Sequence, residues 1–287
     1  MKRSTLAVLA LALLLLLAFF LHRGLRERTP QQRQSPTSRA ELVDAAPAAP
    51  RESSPVSIAA RSAVVPPAPS AAGVGTIRGV VRLKGPIPQR KTYRAAADPE
   101  CEKMHGARIV SDEFVVDPQG NIQWAFVYVK SGLSGSVPPA PATPVYLDQV
   151  SCVYTPHVVG VRVGQPLVVL NSDELLHNVH GLPYVNKEFN VGLYKGHTEM
   201  TRAFDKPEVM FKIKCDVHPW MSAWIGVLDH PYFSITNAVG SYGIPNLPPG
   251  RYEVEAWHEK CARSTFLIEV PVGGDATLDF WLDVKQD

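Results

Sequence analysis

The sequence predicts an all-β protein that is preceded by a membrane-targeting segment and a linker. From residue 76 onward, short runs alternate apolar and polar side chains and are separated by turn residues, a period of two that is typical of half-buried strands. No stretch of ten or more residues in this part shows the spacing of an amphipathic helix. We therefore expect β-sandwiches here and a membrane helix only at the N-terminus.

Residues 1–28 have the pattern of a targeting segment. Lys2 and Arg3 precede an unbroken apolar run from Leu6 to Leu21, and further basic residues follow it. The run is shorter than the roughly 20 residues that span a bilayer comfortably, and no small-x-small cleavage motif follows it. We favour an uncleaved signal anchor over a removed signal peptide, which would tether the protein to the inner membrane.

Residues 29–75 are predicted to form a disordered Pro/Ala-rich linker. They contain eight prolines and no aromatic residue, so they cannot bury enough apolar surface to offset the loss of chain entropy.

The whole chain has a net charge of only +2 and no long basic run. Electrostatics therefore gives no reason to expect a nucleic-acid partner.

Two short segments carry the donor atoms of a candidate metal site. One loop supplies Cys215, His218 and Met221 at the spacing CxxHxxM, and an upstream segment supplies His177 and His180. A thiolate, two imidazoles and a thioether select copper when they form a trigonal His-His-Cys site with a long axial Met. One such copper site, suited to electron transfer, is predicted.

The strand before this loop predicts where the sulfur points. Val209, Phe211, Ile213 and Cys215 should share one buried strand face, opposite Met210, Lys212 and Lys214. A thiolate is costly among apolar walls unless a cation is bound, and a bound cation also favours deprotonation of the thiol.

Residues 144–229 resemble the cupredoxins, the small blue copper sandwiches that include plastocyanins and amicyanins. The resemblance rests on the Pro, Val-Gly turn and Asn within residues 155–171, on the sequence His-Asn-Val-His at 177–180, and on Cys-x-x-His-Pro-x-Met at 215–221. It implies a Greek-key sandwich that binds one type 1 copper ion.

The same resemblance implies a role for each site residue. His177, the histidine directly before the Asn, is favoured over His180 as the second imidazole ligand, beside the ligands Cys215 and His218. Met221 takes the axial place, as in amicyanins. Two neighbours would support the ligands, namely Asn178 by bonding across to the Cys loop and Pro219 by stiffening that loop without an amide donor.

The flanking segments suggest a second small sandwich. Residues 76–143 open with a pattern similar to carboxypeptidase regulatory-like (transthyretin-like) domains, and residues 230–287 contain the Leu-Pro-Pro-Gly turn before an alternating strand that is typical of their second half. We slightly favour a cupredoxin inserted into this sandwich. The alternative is two consecutive β domains packed side by side.

The three cysteines outside the copper loop leave alternatives open. A disulfide between Cys101 and Cys152 is favoured, although three pairings are possible with Cys261. Alternatively, Cys101 and Cys152 could join His105 and His157 in a second metal site. Cys261 has no predicted role.

Three function classes compete. An electron carrier that docks a redox partner protein is favoured, and copper storage or delivery comes second. The third is an envelope binding module with a structural copper site.

Lys214 and Asp216 flank Cys215 where related oxidases and nitrite reductases place a histidine, so we expect no enzyme activity. A copper-type site and disulfide cysteines suit an oxidising compartment, so we expect the periplasm or cell envelope.

Overall fold

Nineteen strands and one short helix make up the part of the chain that the computed structural model describes, residues 73–95, 98–106 and 108–286. The prediction of an all-β body is confirmed. No helix within these ranges has the length and apolarity to cross a membrane. The predicted membrane segment at residues 1–28 and nearly all of the predicted linker at 29–75 lie outside the described residues.

Nine consecutive strands form one sandwich, which we call the inner sandwich (residues 145–228). One sheet has the order β10-β9-β12-β13-β7 and the other has the order β11-β8-β5-β6. Their facing side chains form a continuous apolar core that includes Cys215 and Met221. The strands are β5 (Val145–Val150), β6 (Val153–Thr155), β7 (Val158–Arg162), β8 (Leu167–Asn171), β9 (His177–Leu182), β10 (Phe189–Leu193), β11 (Glu199–Arg202), β12 (Glu208–Lys214) and β13 (Ser222–Leu228).

Strands from both sides of this unit form a second sandwich, which we call the outer sandwich. In one sheet β1 lies between β15 and the short strands β18 and β19, and in the other the order is β14-β4-β16-β17. Each sheet thus combines chain from before and after the inner sandwich. The strands are β1 (Gly75–Leu83), β4 (Phe126–Ser131), β14 (Phe233–Ile235), β15 (Ser241–Leu247), β16 (Gly250–His258), β17 (Cys261–Val270), β18 (Ala276–Thr277) and β19 (Phe280–Leu282).

A third apolar cluster joins the two sandwiches. Phe126, Tyr128 and Trp257 of the outer sandwich pack with Val158, Met210 and Leu228 of the inner one. The contact between these six side chains buries apolar surface that would otherwise face water. The burial stabilises one relative placement of the two sandwiches.

Strand β4 is buried on both faces, which explains why one prediction from the sequence is wrong. In the sequence, Ile122, Trp124, Phe126 and Tyr128 alternate with other residues, a pattern that predicts one face of a half-buried strand. The structure differs, because β4 begins only at Phe126 and Trp124 has a positive φ of 68°. Val127 and Val129 enter the core of the outer sandwich, while Phe126 and Tyr128 enter the third cluster. A strand buried on both faces does not alternate in the way that a half-buried strand does.

The predicted buried face of β12 is only partly correct. Phe211, Ile213 and Cys215 lie in the inner core as expected, but Val209 packs with Met210 against the third cluster. The register between β12 and β13 shifts between Glu208 and Phe211. This irregularity interrupts the alternation of inward and outward side chains along β12. The prediction from the sequence was based on an uninterrupted alternation.

A small excursion between β1 and β4 reaches the inner sandwich. It contains β2 (Thr92–Arg94), the helix α1 (Pro99–His105) and β3 (Arg108–Val110). Asp98 caps α1 through its side chain, Pro99 occupies the first turn, and Gly106 ends the helix in the left-handed conformation. A disulfide between Cys101 and Cys152 joins α1 to the loop that connects β5 and β6.

Candidate metal centre

The loop between β12 and β13 is folded by its own backbone. The amide of Cys215 donates to the carbonyl of Met221 at 3.1 Å, and the amide of Met221 donates to the carbonyl of His218 at 2.9 Å. The amide of His218 donates to the Cys215 sulfur at 3.4 Å. These bonds turn Cys215, His218 and Met221 inward. Pro219 lies exposed at the turn and offers no amide donor.

His177 comes from the opposite side of the site, at the first position of β9. The loop before it is ordered by Asn171, whose side-chain amide donates to the carbonyls of Leu175 and Leu193 at 2.8 and 3.0 Å. His177 pairs with Leu193 across the sheet. The imidazole is fully buried.

Three donor atoms meet at one point. Nδ1 of His177 lies 2.9 Å from Nδ1 of His218, and Sγ of Cys215 lies 3.8 Å from the same His218 nitrogen. All three residues are at most 2% exposed. Met221, the fourth predicted ligand, is buried in the same apolar core as Cys215.

A carboxylate faces the outer nitrogen of each ring. Nε2 of His177 lies 2.8 Å from Asp173, and Nε2 of His218 lies 3.3 Å from Asp98. A carboxylate at Nε2 favours the tautomer with the proton there, so both Nδ1 lone pairs point inward. Two inward lone pairs at 2.9 Å repel each other unless a proton or a metal ion lies between them.

The charges within the cluster also favour a cation. Burial raises the pKa of the Cys215 thiol, but hydrogen bonding from His177 and His218 outweighs burial and lowers this pKa to about 6. Burial lowers the pKa of His177, but its contacts with Asp173 and Cys215 outweigh burial and raise this pKa to about 9. Both shifts favour a thiolate beside a protonated His177 in the metal-free site, and a metal ion can replace that proton.

The separations suit a small metal ion. Two nitrogens at about 2.0 Å from one tetrahedral ion are about 3.3 Å apart, and a sulfur at about 2.3 Å lies about 3.5 Å from either nitrogen. The observed separations of 2.9 and 3.8 Å are close to these values. A set of two imidazoles and one thiolate with a nearby thioether is the donor chemistry of a type 1 copper site.

Asn178 links the two loops that carry the donors. Its side-chain oxygen accepts the amide of Asp216 at 2.6 Å, and its nitrogen donates to the Asp216 carboxylate at 3.0 Å. His180 points elsewhere, to Asp216 and Glu188 at 2.8 and 3.0 Å, and takes no part in the donor cluster.

The three cysteines other than Cys215 form one disulfide and one free thiol. Because Cys101 and Cys152 are joined in a disulfide, they do not offer two thiolates to a second metal ion. Neither histidine of that alternative is placed for it, since His105 contacts the Ser151 carbonyl and His157 contacts Glu259. Cys261 is a free thiol in the core of the outer sandwich, where burial raises its pKa to about 12.

Neither carboxylate, that of Asp173 or that of Asp98, was predicted from the sequence. Asp173 stands four residues before His177 in the same loop, a proximity that could have suggested it. Asp98 is 120 residues from His218 in the chain, and its only local signal is the helix start Asp-Pro. That signal predicts a cap and says nothing about an imidazole.

Comparisons with solved structures find partial similarity to copper proteins. A Cu-containing nitrite reductase from Thermus scotoductus SA-01 is 21% identical, with 34% of this chain and 25% of that chain covered and a TM-score of 0.28. A purple cupredoxin from Nitrosopumilus maritimus is 20% identical, with 29% and 97% covered and a TM-score of 0.25. A reduced amicyanin variant is 19% identical, with 35% and 97% covered and a TM-score of 0.27.

This chain therefore spans only a quarter of the reductase's length, although it covers nearly all of the two small proteins. No protein-family model matches the sequence. No curated protein matches it either. The similarity of the outer sandwich to transthyretin-like domains remains a prediction.

Proposed function

We propose that this protein binds one copper ion through His177, Cys215 and His218, with Met221 as the axial ligand, and carries single electrons between redox partner proteins. The convergence of one thiolate and two inward Nδ1 atoms at a buried point carries the proposal. A bound copper ion would supply the one-electron couple. The chain's own residues hold the donors and exclude water from them.

Burial of the donors favours a carrier over a delivery protein. A protein that hands copper to others needs donors that a recipient can reach, whereas these three residues are at most 2% exposed. The hydrogen bonds that link Asn178 to Asp216 further hold the two donor loops together. A donor set fixed in this way changes little between oxidation states, which suits electron transfer.

The proposal assigns no enzyme activity. With Met221 as a fourth ligand, the ion has no open position for a substrate, unlike the metal of a catalytic site. Lys214 and Asp216 flank Cys215 and form an ion pair with each other at 2.8 Å. Neither residue is a ligand that could lead on to a second copper centre.

The proposed location follows from the chain outside the described residues. Residues 1–28 would anchor the protein in the inner membrane, residues 29–75 would tether it, and the two sandwiches would lie in the periplasm or cell envelope. The disulfide between Cys101 and Cys152 suits an oxidising compartment.

Copper loading of the purified protein tests the proposal. With one equivalent of Cu(II) we expect an intense blue absorption that a reductant bleaches and an oxidant restores, and that is absent in Cys215→Ser. Cys261→Ala, which removes the other free thiol, should keep the colour. A colourless protein that binds Cu(I) and releases it readily to a chelator would instead support delivery, and the lack of stoichiometric copper would disprove both.

A further inference from the structure

We propose that Asp98, which belongs to the excursion from the outer sandwich, is a positioning residue for the ligand His218, and that the Cys101–Cys152 disulfide holds it in place. This inference rests on the copper site proposed above. It assigns part of the metal centre to a segment outside the inner sandwich.

The two oxygens of Asp98 have separate partners. Oδ1 accepts the amides of Glu100 at 2.9 Å and Cys101 at 3.4 Å, which caps α1. Oδ2 lies 3.3 Å from Nε2 of His218. The Asp98 side chain is 25% exposed and that of His218 only 2%, so this carboxylate covers the ring from the solvent side.

The disulfide lies against both imidazoles. Its Cys101 sulfur, an Asp98 oxygen and a His218 nitrogen lie within 4.8 Å of one another, and the same holds for Cys152, Asp173 and His177. The Cys101 amide binds Asp98, and the Cys152 amide donates to Asp173 at 2.8 Å. One crosslink therefore fixes the two backbone amides that orient the two carboxylates.

Trp220 ties the ligand loop to the same crosslink. Its Nε1 donates to the carbonyl of Cys152 at 3.0 Å, and its ring packs near His218 with centroids 5.2 Å apart. The ligand loop and α1 are therefore both attached to the residue at one end of the disulfide. If the crosslink is removed, α1 loses its covalent attachment to the inner sandwich.

The expected effect follows from the chemistry of the imidazole. A carboxylate at Nε2 fixes the ring orientation, makes Nδ1 a stronger donor and stabilises the more positive, oxidised metal centre. Loss of such a partner typically lowers metal affinity by about 10–100-fold. Removal of the Asp98 charge should therefore weaken Cu(II) binding and raise the reduction potential.

Two variants separate this role from helix capping. Asp98→Asn and Asp98→Ser both keep a side chain that can cap α1, but they remove the negative charge at His218. We expect a lower Cu(II) affinity, a higher reduction potential and a shifted visible band in both variants. In the Cu(I)-loaded protein, the Nε2–H signal of His218 in NMR spectra should exchange with water faster than in the wild type.

Two further variants test whether the effect is specific to Asp98 and depends on the disulfide. Asp112→Asn removes an exposed carboxylate of the same excursion that binds Arg90, and it should leave all four measurements unchanged. The double variant Cys101→Ala/Cys152→Ala should shift them in the same direction as Asp98→Asn. Folded Asp98 variants with wild-type affinity, potential and exchange would overturn this inference alone. A wild-type protein without the Cys215-dependent band would overturn the proposed function, and this inference with it.

Discussion

Nδ1 of His177 and Nδ1 of His218 lie 2.9 Å apart, although the partner of each ring favours a lone pair at that nitrogen. The Cys215 sulfur completes a buried cluster that favours a proton or a metal ion at its centre. In the metal-free protein a proton has to lie between the two nitrogens, whereas a metal ion in its place can bind both nitrogens and the sulfur at once. The stability of the fold should therefore depend on metal.

Zinc should stabilise the protein against unfolding. Zn²⁺ has no redox chemistry and accepts the same nitrogen and sulfur donors, so it isolates binding from oxidation. At a free zinc concentration of 100 times the Kd we expect the free energy of unfolding to rise by about 2.7 kcal/mol. Thermal unfolding measures this increment, which Cys215→Ser should abolish and Cys261→Ala should retain. An equal increment in Cys215→Ser would show that zinc binds elsewhere.

Asn178→Ala should loosen the two donor loops from each other. The variant removes the acceptor of the partly buried Asp216 amide, and this loss costs at most about 1–3 kcal/mol. We also expect a Cu(II) affinity about 10–100-fold lower. Urea unfolding and competition with a chelator measure the two effects. Asn190→Ala, which removes only side-chain bonds to Asn178 and Asp216, should have a smaller effect on both.

His258 should make the metal-free protein less stable in mild acid. Burial, together with the nearby His157, Lys285 and Lys260, lowers the pKa of His258 to about 3, whereas the unfolded chain has a pKa near 6.5. Between these values only the unfolded state binds the proton. The free energy of unfolding therefore falls as the pH drops below about 6.5, by at most about 1.4 kcal/mol per pH unit from this residue.

The pH prediction is tested by urea unfolding between pH 7.5 and 4. His258→Asn can keep an acceptor for the Lys260 amide, which His258 Nδ1 accepts at 3.2 Å, but it cannot take up a proton. Its slope should therefore be smaller than that of the wild type. His197→Asn, which changes an exposed histidine, should keep the wild-type slope. Equal slopes in His258→Asn and the wild type would contradict the assignment.

Gly160→Ala should disturb the contact between the sandwiches. An added Cβ would lie 2.2 Å from the Phe233 ring, so β7 and β14 would have to move apart. Overpacking of this kind costs about 1–3 kcal/mol, and urea unfolding measures it. Gly243→Ala, also in a strand, meets no atom within 4 Å and should leave stability unchanged or slightly higher. A neutral Gly160→Ala would mean that the contact adapts freely.

The local part of the site could be predicted because the chain itself brings the residues together. Cys215, His218 and Met221 lie within one loop, and the strand pattern before it already pointed Cys215 inward. The choice of His177 over His180 needed a family resemblance, because only the pairing of β9 with β10 and β12 decides which histidine faces the loop. Their role as metal ligands remains a prediction.

The distant part of the site could not be predicted from local patterns. Asp98 approaches His218 from the start of α1, which is crosslinked to Cys152, and no periodicity in the sequence predicts this approach. The errors at Trp124 and Val209 have the same origin. Both residues lie at the contact between the sandwiches, where burial on a second face and a shifted register override the alternation.

Arg162 shows where the chain crosses between the two sandwiches. Its Nη2 donates to the carbonyl of Pro138, on the way in, and to that of Asp229, on the way out, at 2.9 and 2.8 Å. Arg162 pairs with Leu228 at one end of β13, whereas the ligand loop adjoins Ser222 at the other end. The disulfide supplies a further attachment at the ligand end, so the inner sandwich is attached at both ends. The redox partner proposed above would therefore meet α1 and the ligand loop as one preformed surface.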